Sequence, residues 1–291
     1  MKKIAFILLI SFLAVDSFAQ KKEKKSEKDT VLNTLILKNT IQKKEKKSKK
    51  ELKAEAEAAK NKVLLRYNLK QGEGYEQIME NDMKMQIMGM DIPMLQKIST
   101  KNTITDVDAS GNLTQEVIID KFYLKQSNPM TGDLEYDSED PKKQAPELAG
   151  QLGSMKGTKS SIKMTSTGKV LEAPKEADMS NSSNQYPEQA VGVGDTWELS
   201  SISKNPMMGN KEITSQNQYK LIERSAGKAT VEVNSKMVSE GKDIGSISGK
   251  IIIDEKTGIV LEGDMFQKME MEVQGMESKV ETKIKIIGKK L

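Results

Sequence analysis

The side chains best suited to chemistry in this sequence are methionine thioethers. The 291 residues include 18 Met and no His or Cys. Two stretches share the frame M-x-M-x-[I/V]-x-G-M: "MKMQIMGM" at Met83–Met90 and "MEMEVQGM" at Met269–Met276. Soft thioethers suit Cu(I), so a Met-rich copper site is one chemistry this frame offers. It would need three sulfurs to converge. In an extended strand Met83 and Met85 share a face about 7 Å apart, whereas Met88 and Met90 have the other parity. One strand makes no cage, so a neighbouring strand would have to supply Met. Met is also an adaptable filler, both of apolar surfaces that hold greasy ligands and of ordinary cores.

Other chemistry finds little support. Asp106, Asp108, Ser110 and Gly111 fit the start of a calcium loop, but Val117 stands where the pattern needs a bidentate Glu. A hairpin turn explains the same Asp and Gly. Without His or Cys the usual general base and thiol nucleophile are missing. "GSISG" at Gly245–Gly249 has Ile247 where a nucleophile elbow needs Ser. "STGKV" at Ser166 lacks the glycine and hydroxyl residue of a phosphate loop. No carboxylate pair stands in an apolar context. The expectation is a protein that is not an enzyme and carries no cofactor or resident metal.

The elements that would position the methionines are strands. From Val63 the apolar period is two: Val63, Leu65, Tyr67 and Leu69, then after Gly72 Tyr75, Met79, Met83, Met85 and Ile87. This predicts a hairpin with one apolar face. The pattern recurs at Leu113, Val117, Ile119 and Tyr123; at Trp197 and Leu199; and at Ile213, Tyr219 and Leu221. It continues at Ala229, Val231, Val233 and Met237, and from Ile247 through Met265, Met269 and Met271 to Ile286. "DASGN", "TSTGK", "RSAGK" and "DEKTG" separate the runs, each with Gly where a tight turn needs positive φ. Leu148, Leu152 and Met155 sit at helical spacing and predict a short helix near 145–157. Trp197, the only Trp, is a core anchor or a pocket aromatic.

Overlaying the two Met frames extends the match backwards. "LLRYNLKQGEGYEQIMENDMKMQIMGM" lies over "KIIIDEKTGIVLEGDMFQKMEMEVQGM", which predicts two related hairpins near the two ends of a sheet.

The first residues set the expected compartment. Lys2-Lys3, the apolar run Ile4–Val15 and Ser17-Phe18-Ala19 read as a secretory signal peptide cut after Ala19. Residues 20–62 form a Lys-rich low-complexity arm, helical or disordered. Its charge would suit weak contact with an anionic membrane surface. It has no Arg and no aromatic residue, so nucleic acid is not an expected partner. The formal net charge of +4 thus joins a basic arm to a mildly acidic body.

The ordered set "LRYNLKQGEGY", the Met-alternating strand ending "MGM", "TSTGKV" and "YPEQAVGVGDTWEL" resembles an uncharacterised family of exported β-rich bacterial proteins, a domain of unknown function. The resemblance runs from Val63 to about Ile287. It implies an envelope location and a β-rich fold, and it supplies no catalytic residue. The half-open barrel of periplasmic lipoprotein carriers is a looser fold analogy.

These readings combine into one expectation. The fold is mainly β, an antiparallel meander forming a curved sheet, half-barrel or barrel with one short covering helix. Residues 63–158 and 159–291 form two β regions, or one domain. The function is that of a non-catalytic exported binding or scaffold module, in the periplasm or outside the cell. One alternative is a carrier of a lipid-like apolar ligand in a cavity bordered by Met83, Met85, Trp197, Met269 and Met271. A second is a Cu(I)-binding protein. The partner is an apolar small molecule or another envelope protein.

Overall fold

A computed structural model describes residues 61–87, 89–128, 132–173, 185–205, 211–273 and 276–291. The signal peptide and the Lys-rich arm as far as residue 60 lie outside the described residues. The body is a twelve-stranded antiparallel sheet. Its strands are β1 (Gly74–Ile87), β2 (Met90–Val107), β3 (Leu113–Asn128), β4 (Gly132–Asp137), β5 (Lys159–Met164), β6 (Val170–Glu172), β7 (Thr196–Asn205), β8 (Lys211–Ser225), β9 (Lys228–Ser239), β10 (Lys242–Asp254), β11 (Val260–Val273) and β12 (Met276–Lys290). Their order is β6-β5-β3-β2-β1-β12-β11-β10-β9-β8-β7, with β4 paired to β3. The expected mainly β, open and curved sheet is thus found. It passes through both β regions, because β5 pairs with β3 across residue 158.

Period-two patterning explains the two faces. In β9, Ala229, Val231, Val233, Ser235, Met237 and Ser239 are buried while alternate residues reach outward. The outer face is charged and carries cross-strand ion pairs such as Lys97–Glu80 and Lys268–Glu281. The four turn signals hold Gly111, Gly168, Gly227 and Gly258 at φ of 78°, 85°, 76° and 72°. The expected helix is α1 (Pro146–Leu152), with Pro in its first turn beside Glu147. Leu148 and Leu152 cover Phe122, Leu124 and Tyr136.

Three expectations are corrected. Val63–Leu69 is not a strand of the first hairpin. It makes one isolated bridge, Val63 to Val191, and buries Leu65, Tyr67 and Leu69 in the core. Alternation fixed which side chains turn inward, but not which partner they meet. The two Met hairpins are not at the ends of the sheet. β1 and β11 flank β12 near its centre, so residues far apart in sequence become neighbours. Tyr123 faces away from Ile119, because the β2–β3 register shifts between Ser99 and Thr100. Phe122, Leu124 and Gln126 turn inward instead, and the Tyr123 hydroxyl donates to Glu135.

Candidate functional site

One end of the sheet is closed by a plug in which Val63–Leu69 and the stretch around Tyr186 bond to each other and to the turns at Ser166–Thr167 and Thr257–Gly258. The Arg66 guanidinium donates to the carbonyls of Leu65, Pro187 and Glu188 at 2.7, 2.5 and 2.6 Å. The Tyr67 amide donates to the Ser166 carbonyl and the Asn68 amide to that of Thr257, at 2.7 and 3.0 Å. The Tyr186 amide donates to Thr167 O, and its buried hydroxyl donates to Gly258 O at 2.5 Å. Burial pushes the Tyr186 phenol well above its usual range. The Tyr67 and Tyr186 rings meet at 5.2 Å. Gly258 has no room for a side chain, since a Cβ would run into the Arg66 carbonyl. Above the plug, the Tyr75 hydroxyl donates to Gln115 Oε1, and Gln115 Nε2 donates to Asn102 Oδ1. Burial raises Tyr75 to about 12. Polar groups at this end are thus matched within the chain.

The inner face changes character along the strands. On the plug side the row Phe122, Ile98, Met79, Ile286, Gly263, Ile251, Val231 and Leu221 carries no polar side chain, and Gln77 and Thr100 follow it toward the plug. The next row holds Gln96 and Asn81 beside Ile284, Met265, Val233, Tyr219 and Trp197. The third runs Gln126, Met94, Met83, Thr282, Gln267, Ile247, Ser235, Asn217 and Leu199. The fourth holds Ile92, Met85, Val280, Met269, Gly245, Met237, Ser215 and Ser201. No Asp, Glu, Lys or Arg stands in these four rows.

This arrangement brings most of the expected site residues into one neighbourhood. Met83 and Met85 are buried in one cluster with Met94 and Val280, and half-buried Met269 packs against it. Met85 and Met269 flank Val280 from either side. Met271 lies opposite Ser278, and its side chain is outside the described residues. Trp197 stands apart on edge strand β7, stacked on Tyr219 at 5.4 Å. For copper chemistry, Met94 is the neighbouring-strand Met that the frame required, directly opposite Met83. Met269 is two strands from Met83, on the far side of β12. Among the described residues no group of three or more His, Cys, Asp or Glu could hold a metal ion.

The calcium-like loop is a hairpin turn. Asp108 accepts from the Ser110 and Asn112 amides at 2.9 Å, from Asn112 Nδ2, and from Lys163 at 3.1 Å. The bonds from the Asn112 side chain and amide, followed by that from Lys163, hold its carboxyl well below the usual range.

The feature missed in the sequence is a polar belt. Among the described residues, nine buried side-chain polar atoms have no partner within the chain: Asn81 Oδ1, Gln96 Nε2, Gln126 Nε2, Trp197 Nε1, Ser201 Oγ, Asn217 Nδ2, Ser235 Oγ, Ser278 Oγ and Thr282 Oγ1. All belong to residues on the inner face. An unmatched buried group costs about 1–3 kcal/mol. A set of this size would offset a typical folding stability of about 5–15 kcal/mol. Such atoms are therefore matched by water or by a ligand. The signal was in the sequence as gaps in the apolar period: Asn81 between Met79 and Met83, Gln267 between Met265 and Met269, Thr282 between Val280 and Ile284.

A family model described as "Family of unknown function (DUF6263)" matches residues 175–260. That stretch includes β7 to β10 and the plug segment Gln185–Val191. No curated protein matches the chain. Among solved structures, one described as "lipid-protein interactions in lipovitellin" is similar with a TM-score of 0.49 at 10% identity. The match covers 76% of this chain and 25% of that one, so this chain spans about a quarter of its length.

Proposed function

We propose that this chain is a non-catalytic, exported binding protein that carries a lipid-like ligand against the inner face of its curved sheet. The observation that carries the reading is the contrast between the two faces. The outer face is charged and ion-paired. The inner face is uncharged across nine strands, from β3 through β12 to β7. It is rich in pliable Met and ends in polar atoms that the chain does not match. A core filled by its own side chains would not leave such atoms on one face alone. Flexible thioethers let a surface repack around acyl chains of different shape. The Lys-rich arm would add weak attraction to an anionic membrane, where such a ligand is found.

The test is titration of the signal-less chain with N-phenylnaphthylamine, whose emission rises in apolar surroundings. Saturable, stoichiometric enhancement is expected, and Met83→Asp with Met269→Asp should abolish it. No enhancement with the folded chain would overturn the reading.

A further inference from the structure

We infer that the polar belt is the head-group site of an uncharged amphiphile whose head bears a hydroxyl or amide. The inference rests on the carrier reading and names the ligand's class. Three observations converge on it. The unmatched atoms concentrate in adjoining rows: Asn217, Ser235 and Thr282 on one side of Met83, Gln126 beyond Met94 on the other. They include donors, such as Gln126 Nε2 and Asn217 Nδ2, and hydroxyls that both donate and accept. The complementary head must therefore accept and donate, as a hydroxyl or amide does. A carboxylate or phosphate only accepts, and it would be buried against a face with no cation to pair with it.

The order of the rows sets the orientation. On β1 the belt extends from Met83 to Asn81, and on its plug side the next inner-face row, through Met79, is apolar. The tail thus lies toward the plug and the head toward the hairpin turns beyond Met85. Met85 and Met269 stand on that side of Met83, in the row that ends at Ser201, where they border the head group.

Trp197 provides the readout, because it is the only Trp and lies on the inner face. Its fluorescence is titrated with three brominated stearoyl probes that share one tail: the monoacylglycerol, the methyl ester and the free acid in mildly alkaline buffer. The monoacylglycerol should bind at least about tenfold tighter than the other two, as expected where buried polar groups are otherwise left unpaired. Thr282→Val combined with Ser235→Ala should erase most of that preference. Gln126→Met, a separate variant, should reduce it in the same direction. Equal affinities for monoacylglycerol and methyl ester would overturn the belt's role and leave the carrier reading standing. Tightest binding by the free acid would overturn the uncharged head. Quenching by none of the probes would overturn the carrier reading as well.

Discussion

The two halves of the inner face are built from the same residue types and treat them differently. At the plug, Tyr75, Asn102, Gln115 and Tyr186 are buried, and each finds a partner in the chain. At the belt, Asn81, Asn217, Ser235 and Thr282 are buried to a similar degree and leave atoms unmatched. Burial alone therefore does not distinguish structure from site. The difference is whether the fold supplies a second chain segment to answer each polar group. The plug has Val63–Leu69 and the stretch around Tyr186 for this purpose. At Asn217, Ser235 and Thr282, among the described residues, no second segment answers the unmatched atoms.

The comparison can be broken most severely at Gly258. Its positive φ and the adjacent Arg66 carbonyl leave no place for a Cβ. Gly258→Ala should cost about 3 kcal/mol in urea unfolding, with Trp197 reporting the transition. A loss below about 1 kcal/mol would show that the plug yields easily.

Alkaline pH should loosen the plug end next. Tyr75 is raised to about 12 by burial, so the folded state keeps a proton that the unfolded chain releases near 10. Its stabilisation is complete below the unfolded value and is lost as pH rises toward the folded one. Denaturation midpoints should therefore fall from about pH 10 upward. Tyr75→Phe should flatten that decline. An equal slope in the variant would remove Tyr75 from the account.

A matched pair of hydroxyl deletions sharpens the contrast. Tyr186→Phe removes a hydroxyl with a partner and should cost about 1 kcal/mol, whereas Thr282→Val removes one without a partner and should be neutral or slightly stabilising in ligand-free protein. Equal losses at both sites would erase the distinction between plug and belt.

The smallest effect is expected at the β2–β3 turn. Asp108 is held below the usual carboxylate range, so its contribution is present above the unfolded value and is lost as pH falls through the folded one. Asp108→Asn should lower the Tm slightly near neutrality. The difference should vanish in strong acid.

Much of the architecture was legible from alternation. Val231-x-Val233 and Ile251-x-Ile253 dictate strands with one inward face, and the Gly-bearing turns dictate antiparallel pairing. The covering helix was legible from Leu148 and Leu152. Register was not, since it depends on bulges such as that opposite Ser99–Thr100, which no local pattern marks. Nor was the packing of Val63–Leu69, whose alternation fits a strand as well as a plug. The candidate site was half legible. The Met frame drew attention to Met83 and Met269, which the sheet places two strands apart. The belt was overlooked because Asn81, Gln267 and Thr282 read as interruptions of an apolar face rather than as a second pattern on it.

The most direct test of the central claim is native mass spectrometry of the signal-less chain recovered from an envelope fraction, compared with its denatured mass. The account predicts an excess of several hundred daltons that vanishes on denaturation, and an organic extract containing an uncharged amphiphile. A native mass equal to that of the bare polypeptide would contradict it, and the inner face would then be a hydrated core that carries nothing.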